Sequence, residues 1–125
     1  MPDQHHPTSH HRNDSSLIEK KAKIDTYHIQ LLTHFLQKLK ATPEGDGNLP
    51  DQSLILYGGG MGDGNLHRHS NLPTLMAGKL GGQFETGRHL AYKLDTTMSN
   101  LPVTILNKAG VAIEKIGDST GPLEV

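Results

Sequence analysis

The sequence predicts an α/β fold in which a sheet is flanked by two main helices. Three observations predict it. A helical period runs from Ile24 to Leu39, and a continuous apolar run covers Leu54–Tyr57 between turn-forming residues. The order along the chain is helix, strand, polar loop, strand, helix. These divide residues 1–125 into a histidine-rich loop (1–14), a helix (16–41) and a strand, loop and helix region (53–125).

Each element has a local reason. Residues 1–14 are polar, contain proline and lack a hydrophobic period, so they read as irregular. Ser16-Leu17-Ile18-Glu19 has the form of a capping box and opens a helix. Ile24, His28, Leu31, Phe35 and Leu39 then recur at steps of three and four, widened by Leu32 and Leu36, while Lys20, Lys23, Gln30, Gln37 and Lys38 take the wet side. Residues 42–48 carry Pro43 and two glycines and form an exposed loop. Ser53–Tyr57 suits a strand buried on both faces. A glycine-rich loop starts at Gly58, and Leu72–Ala77 is a second, weaker strand. Thr97 or Ser99 caps a last helix through Leu101, Ile105 and Leu106, ended by Gly110. The pentapeptide Gly-Asp-Gly-Asn-Leu occurs at 45–49 and 62–66, which is shared turn chemistry rather than an architectural repeat.

The composition narrows the function. Apolar residues make up 34% of the chain, and its 14 glycines bring the fraction to about 45%, the low end for a globular protein. The formal charge of −1 supplies no basic field for nucleic acid or an anionic membrane. No apolar run approaches the roughly 18 residues of a membrane span, and zero cysteines exclude disulfides and thiolate ligands. Nine histidines are the unusual feature.

Two constellations carry candidate chemistry. The first is His5, His6, Ser9, His10 and His11, where neutral imidazoles suit zinc-like metals. Pro7 argues for a loop there, and a disordered tail or an added terminal segment is the alternative reading. The second is Asp63, Asn65, His67, His69 and Asn71, each two residues apart, just past the end of a strand. In an extended stretch alternate side chains share a face. His67 and His69 would then reach one metal together, with Asp63 as an oxygen ligand or its support. A turn-rich, solvated loop is the alternative. His28 reads as a packed core residue, His34 as solvated, and Arg88-His89 as a surface pair. Gly117-Asp118-Ser119 has the look of an esterase nucleophile motif but lies in the closing loop, so no activated nucleophile is assigned.

His6-Pro7-Thr8-Ser9-His10-His11 spells His-x-x-Ser-His-His and resembles the signature of the HXXSHH family, a domain of unknown function. Further blocks extend the resemblance: 23–25 through 39–42, 54–58, 62–67, 69–73, 87–90 and 117–123. The resemblance implies the C-terminal segment of a longer domain whose N-terminal half would be its partner, which makes the sheet flanked by the two main helices an incomplete sheet. It also implies the alkaline phosphatase-like α/β/α sandwich, whose members hold metals with Asp and His on strand-end loops. On that analogy His6, His10, His11, Asp63, His67 and His69 are metal-site candidates, for zinc or another divalent ion, with Ser9, Asn65 and Asn71 supporting. The segment around Ser9 would close over the loop, and Ser9 would orient a histidine by hydrogen bond. Full-length members are expected to be exported, and the parent to hydrolyse a phosphate or sulfate ester. The alternative is a non-catalytic metal- or ligand-binding module or a truncated remnant. No nucleic acid or membrane partner is expected.

Overall fold

A computed structural model describes residues 4–125 of the chain. It shows a mixed α/β protein of four helices and two small antiparallel sheets among the described residues. The first three residues of the segment expected to be irregular lie outside this range. The rest of that segment is not all irregular. Helix α1 spans His5–Ser9, with Pro7 in its first turn, where the missing N–H costs nothing. Thr8 is buried, and its hydroxyl donates to the Gln4 carbonyl at 2.7 Å.

Helix α2 spans Ser15–Lys40, and α1 packs against it. Its start differs from the expected capping box. Asp14 is the N-cap, and its Oδ1 accepts the Ser16 and Leu17 N–H groups at 2.8 and 3.2 Å and the Ser16 hydroxyl at 2.6 Å. A carboxylate also complements the positive end of the helix dipole, so it outcompetes serine for the position. The apolar stripe of α2 is not a core. None of its residues is buried, and Tyr27, Leu31 and Phe35 are about half exposed. His28, read from the sequence as a core residue, is likewise exposed.

The expected loop after α2 contains a minimal hairpin, β1 (Pro43–Glu44) with β2 (Gly47–Asn48), turned at Gly45 with φ +55°. A short helix, α3 (Leu49–Gln52), follows. Asn48 and Asp51 form its capping box and Pro50 occupies its first turn. It packs against α2 and against strand β4. Strands β3 (Leu54–Gly58) and β4 (Thr74–Gly78) pair antiparallel, Leu54 opposite Gly78 and Gly58 opposite Thr74. Strand β3 is not buried on both faces as expected, since Leu56 stays 44% exposed, and Leu75 on β4 is 43% exposed. Two strands and one short helix cannot cover both faces of a sheet.

The tightest packing lies at the C-terminal side. Helix α4 (Asn100–Lys108) carries Leu101 and the fully buried Val103, and Phe84 is also buried. Polar groups inside this region are paired. Asn100 Oδ1 accepts the Thr120 N–H at 2.8 Å, and Thr104 Oγ1 accepts the Leu123 N–H at 2.6 Å. At the end of α4, Gly110 takes φ +86°, with its N–H on the Asn107 carbonyl and the Val111 N–H on Leu106. This is the Schellman closure that the glycine signalled. Asp118 and Ser119 are structural: Asp118 accepts the Ser99 and Thr97 hydroxyls, and buried Ser119 accepts the Ile116 N–H at 2.8 Å. No helix among the described residues is long and apolar enough to cross a membrane.

Candidate functional site

The loop between β3 and β4 is held at both ends by the strand pair, so its position is fixed by the sheet. Inside it, Asp63 and Arg68 form an isolated bridge, with the Arg68 N–H on the Asp63 carbonyl at 2.9 Å. Asp63 Oδ1 accepts the Asn65 and Leu66 N–H groups at 2.9 and 3.2 Å, an Asx turn that curls the chain back. Gly62 is required at the closing point. A Cβ there would lie 2.2 Å from the Ser70 carbonyl oxygen and 2.8 Å from that of Asn71. His67 and Asn71 adopt left-handed backbone, φ +50° and +53°. The segment is therefore coiled rather than extended, and His67 and His69 do not alternate along a strand.

The loop meets α1. Arg12 N–H donates to Asn65 Oδ1 at 2.7 Å, bridging 53 residues of sequence. Gly64 lies against Ser9, where an added Cβ would be 3.1 Å from the serine Cβ. The His10 and His67 rings pack at 4.7 Å between centroids, and His6 meets His10 edge-on at 4.7 Å. Three of the expected site histidines thus form one row. His11 lies beside it and accepts the Asn13 N–H at Nδ1, 3.1 Å, which leaves Nε2 to carry the ring proton. His69 turns away to the Gly60 carbonyl, 2.8 Å from its Nδ1. Ser9 donates to the His6 main-chain carbonyl at 2.8 Å and orients no imidazole. Asn71 acts through its backbone at the Gly62 contact.

Next to the row, Ser9, His11, Lys21, Gly62, Asp63, Gly64 and Arg68 line a shallow polar cleft of about 410 Å3. Arg68 and Lys21 give it positive charge, set against the Asp63 carboxylate in the same lining, and Lys21 is also bound to Asp25 on α2. The His10 pKa lies below its ordinary value. Partial desolvation is the main cause, followed by the charges of His6, His67 and Arg12.

The donor set is rich in imidazoles, but no three of its donor atoms converge in this arrangement. Among the described residues the one group of three whose donor atoms lie within 4.8 Å of one another is His5, Asp25 and His28. The nitrogens of His6, His10, His11, His67 and His69 with the Asp63 carboxylate form no such group, although the rings of His6, His10 and His67 pack in a row. Sequence reasoning missed Arg68 and Lys21, which line the cleft, and the pairing of Asp25 with His28. The signal was present, since Arg68 stands between the two loop histidines. Comparison of the chain with protein-family models, with curated proteins and with solved structures gave no match.

Proposed function

We propose that the chain contributes the anion-binding side of the active site of an HXXSHH-type hydrolase of phosphate or sulfate esters, with an alkaline phosphatase-like sandwich as the parent fold. The observation that carries this reading is the cleft itself, where Arg68, Lys21 and His11 surround Ser9 and the glycines at 62 and 64. The Arg68 and Lys21 cations supply charge opposite to an oxyanion, and the neutral His11 ring can donate to it from Nε2. The imidazole row beside it repels itself when protonated, a strain an anion would relieve. The sandwich is supported by the sheet: among the described residues β3 and β4 pair only with each other, which leaves an outer edge on each for further strands.

A second reading, a binding module without chemistry, is favoured by Ser9, whose hydroxyl donates to a backbone carbonyl and contacts no base. Both readings require anion binding, so that is the test. Sulfate or phosphate should raise the melting temperature of the purified chain above that in chloride of equal ionic strength. The additional rise should vanish in Arg68→Ala. Sulfate also stabilises proteins generally by exclusion from their surface. A rise of equal size in Arg68→Ala would therefore be that general effect and would sink the anion site. Turnover of p-nitrophenyl phosphate or sulfate by the complete parent separates the hydrolase from the binding module.

A further inference from the structure

The three donors that converge lie on α1 and α2 beside the cleft, joined to it by the Lys21–Asp25 ion pair, and none of them lines it. Asp25 and His28 are three residues apart on α2 and so share a face, the Asp-x-x-His counterpart of the carboxylate-x-x-His pairs that hold metals in helical bundles. His5 comes from α1. Its Nε2 lies 3.7 Å from Asp25 Oδ1, and its ring centroid is 5.6 Å from that of His28. Two imidazoles and a carboxylate, all solvent-exposed, leave room for water to complete the coordination.

We infer that His5, Asp25 and His28 form a divalent transition-metal site that staples α1 to α2. Nitrogen and oxygen donors of this kind suit zinc and exclude calcium and magnesium, which require oxygen. Zinc at about 2.0–2.1 Å from each ligand draws donor atoms to roughly 3.4 Å of one another. The present spread of up to 4.8 Å closes by small rotations of exposed side chains. The Asp25 carboxylate is at present bound by the Lys21 ammonium, so the lysine competes with the ion for it. The consequence is local to α1. A metal on His5 fixes the segment that carries His6 and His10, and with it the imidazole row facing His67.

The site is tested with the full chain and zinc alone, by titration calorimetry. Wild type should bind one equivalent at a site that His28→Ala weakens by at least about tenfold. His28 is exposed, so the variant should keep the wild-type circular dichroism spectrum, which verifies that the fold is intact. Lys21→Met should tighten binding, because it removes the competing ammonium. His67→Ala with His69→Ala should leave it unchanged, which separates this site from the histidines of the loop. Undiminished binding in His28→Ala, or loss of binding only in the His67 and His69 variant, overturns the assignment. So does a wild-type chain that takes up no zinc.

Discussion

His10 has its ring between His6 and His67, with the charge of Arg12 near by. Its pKa is lowered in the folded chain, by desolvation first and by those three charges after it. The sign of the effect on stability follows. Above the ordinary histidine value of about 6.5 both states hold the ring neutral, and His10 contributes no pH dependence. As pH falls through that value the unfolded chain takes up a proton that the folded chain resists. Stability is therefore lost until the pH passes below the lowered native value. We expect the melting temperature to fall between about pH 7 and pH 5, and to fall less steeply in His10→Gln, whose side chain does not titrate. Equal slopes in the two proteins would show that the imidazole row is not packed as described.

At the scale of elements, the boundaries are decided by short polar side chains. Asp14 holds three donors at the start of α2, and its pKa is depressed by the Ser16 hydroxyl foremost and by the main-chain N–H groups. Asp14→Ala should lower the melting temperature by roughly 3–6 °C, whereas Ser15→Ala should change it little. A drop in Ser15→Ala as large as that in Asp14→Ala would move the cap. Strands β3 and β4 and helices α2 and α4 were legible in the sequence because each has either a sustained period or an apolar run, whereas the two-residue strands β1 and β2 fell within an expected loop. Helices α1 and α3 were not legible either, since helices of five and four residues are too short to show a period. The repeated pentapeptide shows why local sequence runs out. At 45–49 its asparagine caps α3, whereas at 62–66 its aspartate builds an Asx turn and its asparagine receives the Arg12 N–H. The same five residues serve two structures because their partners, Asp51 in one case and Arg12 in the other, lie outside them. For the same reason the loop histidines were visible as a cluster, but their directions were not. His67 enters left-handed backbone, and that breaks the alternation on which a shared metal was argued.

Across the whole molecule, packing and hydrophobic pattern separate. The longest apolar stripe belongs to α2, and by periodicity it should be the centre of the core. Instead α2 buries no residue, while the fully buried Val103 stands on the nine-residue α4. Burial, not periodicity, sets the free-energy cost of removing a side chain, so the stability of this chain should be concentrated around α4. Val103→Ala removes two methyl groups from a fully buried position and should cost about 2 kcal/mol. Leu31, half exposed on α2, loses few contacts on replacement, and glutamate keeps good helix propensity there. Leu31→Glu should therefore shift the unfolding free energy by no more than about 0.5 kcal/mol. Urea unfolding of both variants, at constant denaturant slope, gives the comparison directly. If Leu31→Glu proves the more damaging of the two, α2 is covered in solution and its exposed stripe is a contact surface. If Val103→Ala does, the stripe contributes little to folding. Its apolar residues then remain a solvent-facing surface that folding does not require.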